Sequence, residues 1–333
     1  MTRRRTAVVT ASAMGMLMTL GACGDSREEV TVGLITKQEE NPYWLALRET
    51  AEKTADDQGV TLLTATGTSD ADVESQQKAI ADMVAKGVNG ILIAPTDSAA
   101  LLPAVEAARA AGVIVIALDT PFDPVDAVDA YFTTDNVRAG ELVGEYAAAK
   151  AKELGMTPQV AMLGLTPGFL SGDQREAGFL ASMGLDAKDP AIVADVDAQG
   201  DRELANDAMA KILQDNQDVN VVYAVKEPAA LGALDALGAA NIDPADIVLV
   251  SVDGGCGAIK DGVRPGLIDA TAQQYPANMA REGVLAIVDA VRDEHRRDVF
   301  EVAKLDDLGI HGQCRHRVEA GRRFIVQEDL RLE

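Results

Sequence analysis

Short apolar runs rich in Val and Ile alternate along this chain with longer amphipathic stretches, and the alternation occurs twice. The runs are 30–36 (VTVGLIT), 60–66 (VTLLTAT), 90–95 (GILIAP), 113–119 (VIVIALD), 159–166 (QVAMLGLT), 191–198 (AIVADVDA), 220–226 (NVVYAVK) and 247–253 (IVLVSVD). Each is nearly continuous in apolar residues, the pattern expected of strands buried on both faces. Between them, residues 70–87 carry a helical period: Val73, Ala79, Ile80, Met83 and Val84 share one face, and Gly87 ends the run. Residues 201–214 repeat it with Leu204, Ala208, Ile212 and Leu213. Strand–helix–strand alternation at this spacing predicts parallel sheets covered by helices. A seam near 131–136 (YFTTDN) divides the chain into two similar α/β halves, since one sheet of ten or more strands is the rarer solution. A chain of 333 residues suffices for both.

Open α/β sheets hold ligands beyond the carboxyl ends of their strands. Lys37 follows the first run and leads into 39–44 (EENPYW), and 94–98 (APTDS) follows the third. The fourth ends in Asp119, Thr120 and Pro121, and the seam supplies Asp135 and Asn136. In the second half stand Lys226 and Glu227, then Asp253, then Gln273 and Gln274. These are carboxylates, amides and lysines, with no Ser, Cys or His paired as nucleophile and base. No G-x-G-x-x-G follows the first strand, and no Walker loop or G-x-S-x-G elbow occurs. Residues 253–257 (DGGCG) read as a tight strand-to-helix turn. His295, His311 and His316 are the only histidines; 311–316 (HGQCRH) has metal-ligand residue types but lacks a second cluster, so no metal or other cofactor is expected.

Asp119 and Asp253 could serve as a hydrolytic carboxylate pair. The neighbouring amides and aromatics instead suit acceptance of hydrogen bonds from hydroxyls, at about 1.5–3 kcal/mol for each bond to a charged acceptor. Only 4 % of the residues are aromatic, yet the sole tryptophan, Trp44, lies beside Tyr43 directly behind Asn41 and Pro42. A sugar ring has an apolar C–H face for a flat side chain and a belt of hydroxyls for carboxylates and amides. On this reading the ligand is polyhydroxylated and there is no catalytic residue. A net charge of −23 disfavours nucleic acid as a partner.

The first residues pair a basic stretch (MTRRRT) with an apolar core too short for a membrane span, the pattern of an export signal. Residues 20–23 (LGAC) resemble the lipobox of bacterial lipoproteins. That resemblance implies a signal peptide over 1–22, lipidation of Cys23, a polar tether over 23–30 and attachment to the membrane through the lipid. Cys256 and Cys314 could form a disulfide in an oxidising compartment.

Several separate blocks carry a wider resemblance, spanning about residues 31–303. They are 41–44 (NPYW), 87–121 (GVNGILIAPTDSAALLPAVEAARAAGVIVIALDTP), 133–146 (TTDNVRAGELVGEY), 221–234 (VVYAVKEPAALGAL), 251–255 (SVDGG) and 270–276 (ATAQQYP). The chain resembles the ribose-type (type I) periplasmic sugar-binding proteins of ABC importers, and within them the fructose-binding branch most. The resemblance implies two lobes, each a mostly parallel sheet flanked by helices. The first is 31–134 plus 275–303 and the second 135–274 plus 304–333, with crossovers near 134–136, 273–276 and 303. It implies a monomeric extracytoplasmic receptor that hands a monosaccharide to the importer's permease and ATPase subunits. Asn41, Tyr43 and Trp44 match the family's Asn-Pro-aromatic-aromatic loop; Asp119, Asp253 and Gln274 match its acceptors and crossover amide; Asp135 stands at the first crossover; and Lys37 resembles a lysine of the fructose branch.

Three positions depart from the ribose pattern. Thr120 and Asp173 stand where ribose binders have arginines, and Lys226 stands where they have asparagine. The opposite charges suggest that Lys226 and Asp173 face one another across the second-lobe cleft. From about Lys304 the tail leaves the family pattern. A sugar-sensing repressor would begin with a basic helix-turn-helix, whereas this sequence opens on the pattern of an export signal. A sugar-modifying enzyme using Asp119 and Asp253, a sensor feeding a receptor, and a pentose or polyol ligand remain the alternatives.

Overall fold

All strand pairings in the computed structural model, which describes residues 29–292 and the strand Ile325–Gln327, are parallel. The first sheet contains β1 (Thr31–Thr36), β2 (Thr61–Thr66), β3 (Gly90–Ile93), β4 (Ile114–Asp119) and β5 (Ala130–Thr133), in the order 2-1-3-4-5. The second contains β6 (Val160–Gly164), β7 (Ile192–Asp197), β8 (Val221–Ala224), β9 (Val248–Asp253) and β10 (Ala270–Gln273), in the order 7-6-8-9-10. Raising every strand number of the first order by five gives the second, so the halves repeat one topology. The strand β11 (Ile325–Gln327) extends the second sheet beyond β10.

Each sheet is covered on both faces. In the first half, α1 (Pro42–Gln58) and α8 (Pro276–Arg292) bury Leu47, Met279 and Ile287 against Leu34, Leu92 and Leu118. Opposite them, α2 (Val73–Ala85) and α3 (Leu102–Ala110) bury Ile80, Met83 and Val105 against Ile35, Ile91 and Ile93. In the second half, α4 (Asn136–Glu153) and α5 (Leu170–Met183) cover one face; α6 (Arg202–Asp215) and α7 (Glu227–Ala239) cover the other. The chain leaves the first sheet after Thr133 and returns to it after Gln273, because α8 packs on the first half. The expected signal peptide over 1–22, Cys23, the expected crossover near 303, Cys314 and the three histidines lie outside the described residues.

Two readings of the pattern are corrected. The runs at 60–66 and 191–198 are not buried on both faces. They form β2 and β7, which lie at sheet edges and leave Thr61, Thr64, Asp195 and Asp197 exposed. A strand with one neighbour is covered by the flanking helices on its inner side only. On α6 the buried face is Ala205, Met209 and Ile212, while Leu204 is 43 % exposed.

The helices α4 and α5 approach so closely that glycine is required at their crossing. A Cβ on Gly140 would lie 1.9 Å from the carbonyl oxygen of Arg175, and one on Gly178 would lie 2.0 Å from that of Val137. Both obstacles are backbone, which cannot step aside as a side chain tip would. Gly178→Ala is therefore expected to destabilise the protein by about 1–3 kcal/mol through overpacking. Its urea midpoint should fall below that of the wild type, with little change in slope.

Candidate functional site

The carboxyl ends of the first-half strands are fixed by a residue on α2. The fully buried Gln76 donates to the carbonyls of Thr36 (3.2 Å) and Ala94 (2.8 Å) and accepts from the Thr96 amide (2.9 Å) and hydroxyl (3.0 Å). This ties the end of β1 to the loop after β3 and sets the direction of Lys37. Four residues later Asn41 caps α1, its side chain accepting from the Tyr43 amide at 2.9 Å, with Pro42 in the first helical position. The cap places Tyr43 and Trp44 in the first turn, their rings 4.7 Å apart and edge-to-face at 87°. Both rings are buried in the first-half core beside Met279.

Tyr43 also reaches the strand ends. Its hydroxyl donates to Asp119 Oδ1 at 2.8 Å. The other oxygen of Asp119 accepts from the Thr120 hydroxyl at 2.9 Å and lies 3.5 Å from Lys37 Nζ. Lys37 donates to Thr120 Oγ1 at 3.1 Å, and its ammonium sits 5.5 Å from the centre of the Trp44 ring. Burial pulls the Lys37 ammonium below the ordinary lysine value, with Asp119 opposing. Burial, then Asp119, holds the Tyr43 phenol well above its usual value, so it remains a donor.

The second half presents Asp253 in the equivalent place. Its Oδ1 accepts from Gln274 Nε2 at 2.7 Å and lies 3.8 Å from Arg175 Nη1, while Oδ2 accepts from the Glu227 amide at 3.2 Å. Arg175 is itself aimed by Asn136 Oδ1 (2.8 Å) and the Val225 carbonyl (3.1 Å). Gln274 accepts from the Thr134 hydroxyl at 2.7 Å, which joins the two chain crossovers. Burial raises the Asp253 carboxyl, and Arg175 works against it. Asp119 and Asp253 both adopt positive φ, 65° and 109°, a conformation that side chains other than glycine seldom take.

Glu227 opens α7 and accepts from the amides of Gly255 and Ala258, each at 3.1 Å, fixing the turn after β9. Burial, reinforced by Asp253, pushes its carboxyl up to about 7. Cys256, on that turn, is exposed. Asp135 is half-buried and accepts from the Arg138 amide at 2.9 Å, so it caps α4. The pairing of Lys226 with Asp173 does not form. Asp173 turns back to accept from the Gly168 amide at 3.1 Å, and Lys226 pairs with Asp70 of the first half. The reason is reach: Asp173 is occupied by its own loop, whereas Asp70 comes from the facing half.

Sequence reading thus passes over Arg175, Gln76, Thr134 and Asp70. Gln76 and Arg175 are polar residues on helices, and Thr134 and Asp70 are polar residues in loops, places where such side chains ordinarily meet solvent. A cavity of about 460 Å³ opens at the rim of the cleft, lined by Asn41, Thr68 and Asp70 from one half and Gly200, Lys226 and Pro228 from the other. Neither Asp119 nor Asp253 lines it.

Residues 32–295 match the family model described as a periplasmic binding protein domain. The chain belongs to the periplasmic binding protein family. The ribose import binding protein of Bacillus subtilis is 31 % identical over 253 residues, which are 75 % of this chain and 78 % of that protein. A D-ribose/D-allose-binding protein of Pseudomonas aeruginosa is 29 % identical over 89 % of this chain and 94 % of its own length. A carbohydrate transporter solute-binding protein of Agrobacterium radiobacter, solved in complex with D-arabinose, superposes with a TM-score of 0.72 at 27 % identity, over 80 % of this chain and 90 % of that one. These relatives place the chain among the type I periplasmic sugar-binding proteins of ABC importers. The two parallel-sheet α/β halves are that group's fold.

Because the folded state raises the Glu227 carboxyl from 4.5 to about 7, it binds more protons than the unfolded chain within that window. Glu227 therefore contributes most to stability at the acid end and loses that contribution as pH rises through about 7. The melting temperature of the wild type, measured relative to Glu227→Gln, should fall between pH 4.5 and pH 7 and level off above.

Proposed function

We propose that this periplasmic binding protein is a lipid-anchored extracytoplasmic receptor of an ABC importer that grips a single monosaccharide between its halves. The observation that carries the reading is the meeting of Asp119 and Asp253. Each ends an inner strand of its own sheet and each is buried. A chain of hydrogen bonds links them: the Thr134 amide donates to the Asp119 carbonyl at 3.3 Å, the Thr134 hydroxyl to Gln274 at 2.7 Å, and Gln274 to Asp253 at 2.7 Å. Such acceptors, one from either side, bind hydroxyls fully only when the cleft is shut, so ligand binding favours the closed state. The permease and ATPase subunits would then respond to that closed surface, with the receptor itself monomeric.

In this reading the carboxylates of Asp119 and Asp253 accept from the sugar hydroxyls. Lys37, Gln274 and the amide nitrogen of Asn41 donate to its oxygens. Tyr43 and Trp44 cover the apolar ring face, while Asp135 and Lys226 bound the site. Arg175 joins the donors as the buried cation of the second half. A fructose-like ketose heads the candidate ligands, supported by Lys37 and by Thr120 where a ribose-type arginine would stand. Ribose, allose and arabinose, named for relatives of this chain, are the competing sugars, with polyols behind them.

A thermal-shift screen of monosaccharides and polyols tests the reading, because a ligand bound only by the folded state raises the melting temperature. At least one sugar should raise it, and the fluorescence of the single tryptophan should change with the same sugar. A flat response across the ketoses, aldopentoses, aldohexoses and polyols would refute it. For the sugar that binds, Asp253→Asn should weaken affinity by about 10- to 100-fold, the worth of about 1.5–3 kcal/mol for hydrogen bonds to a charged acceptor. Titration calorimetry measures that loss.

A further inference from the structure

The side chain of Lys226 crosses to the other half of the molecule. It starts at the first turn of α7, and its ammonium pairs with Oδ2 of Asp70 on the loop between β2 and α2. Both side chains are more than nine-tenths buried. The path is built for it. Gly200, at φ 59°, lies under the stem, and a Cβ there would stand 1.7 Å from Lys226 Cε. Asp70 Oδ1 has no hydrogen-bond partner, so the ammonium alone compensates for burying this carboxylate.

The position of the pair is as telling as its chemistry. On the inner side, the Lys226 ammonium feels the charges of Asp253 and Lys37. On the outer side, Lys226 and Asp70 both line the rim cavity of about 460 Å³. The pair therefore forms a partition between the polar cluster and that cavity. Resting on the sugar-binding reading above, we propose that Lys226 and Asp70 are specificity-determining residues, an interlobe clasp that shuts the rim end of the cleft and restricts the ligand to a sugar with no bulky substituent at that end. A glycoside or longer saccharide would have to pass its aglycone through the clasp. Breaking it would strand one buried charge and join the cavity to the site.

Two measurements on the full chain test this. The first needs no ligand: hydrogen exchange of the segments 66–72 and 198–204 in the wild type, Lys226→Met, Asp70→Asn and the charge swap Asp70→Lys with Lys226→Asp. A clasp predicts that each single substitution speeds exchange on the opposite half as well as its own, and that the swap restores protection. Exchange altered only on the substituted half would overturn the clasp. The second is calorimetry with D-fructose, D-ribose and D-allose and their methyl glycosides. The wild type should prefer the free sugar over its glycoside by about 10-fold or more, the usual worth of a steric rejection, and Asp70→Asn should erase most of that preference. Equal binding of sugar and glycoside by the wild type, or an undiminished preference in Asp70→Asn, overturns the selective role. If none of the three sugars binds the wild type, the sugar reading falls and takes the selective role with it, while the exchange experiment still decides the clasp.

Discussion

Two carboxylates buried at the ends of parallel strands are the constraint from which the site follows. An ionised group withdrawn from water is tolerated only when donors surround it. Asp119 receives Tyr43, Thr120 and the nearby ammonium of Lys37, all from the first half. Asp253 receives Gln274 and the Glu227 amide, with Arg175 alongside. Each half therefore neutralises its own acid before anything enters the cleft. That is why so many polar side chains can be buried in one place without destabilising either sheet.

The repeat in topology explains why the two acids oppose one another. Asp119 is the last residue of β4 and Asp253 the last of β9, the same strand in the two halves once the numbers are shifted by five. Both have positive φ, so both strand ends turn their side chain into the cleft by the same strained device. Thr134 and Gln274 follow β5 and β10, again equivalent, and they are hydrogen-bonded to each other. The surroundings have diverged. Lys37 and the aromatic pair serve one acid, Arg175 and the backbone of α7 the other. A near-symmetric frame with unlike furnishings suits a ligand whose two faces differ, one apolar and one hydroxylated.

The strand ends were legible because a parallel sheet places them by rule: once the apolar runs are found, the last residue of each run and those just after it are candidates. Asp119, Asp253 and Lys37 emerge that way, and so does the capping Asn41 behind its proline. What escapes is any group whose role depends on a partner from elsewhere in the chain. Gln76 lies on a helix face where a polar residue reads as solvated, yet it is fully buried and ties β1 to β3. Arg175 sits in the second turn of α5, and only the glycine-mediated approach of α4 brings its partner Asn136 within reach. The Lys226–Asp173 pairing failed for the same reason. Opposite charges in sequence say nothing about which half of the molecule supplies the counter-ion.

A saturated site also bears on how tightly a sugar can be held. The acid oxygens are already engaged by Tyr43, Thr120 and Gln274, so on the proposed reading an arriving hydroxyl exchanges one hydrogen bond for another and gains the small difference between them. Affinity must then come from what the exchange does not cancel. One source is burial of the apolar ring face. Another is the order already present in a network whose members hold one another in place, which reduces the entropy lost on binding. The same saturation favours discrimination over raw strength. A hydroxyl in the wrong configuration breaks an existing bond between two protein groups and leaves both without a partner in a buried setting, where an unpaired group costs about 1–3 kcal/mol. On the proposed reading, the network around Asp119 and Asp253 acts as a filter for hydroxyl pattern more than as a reservoir of binding energy.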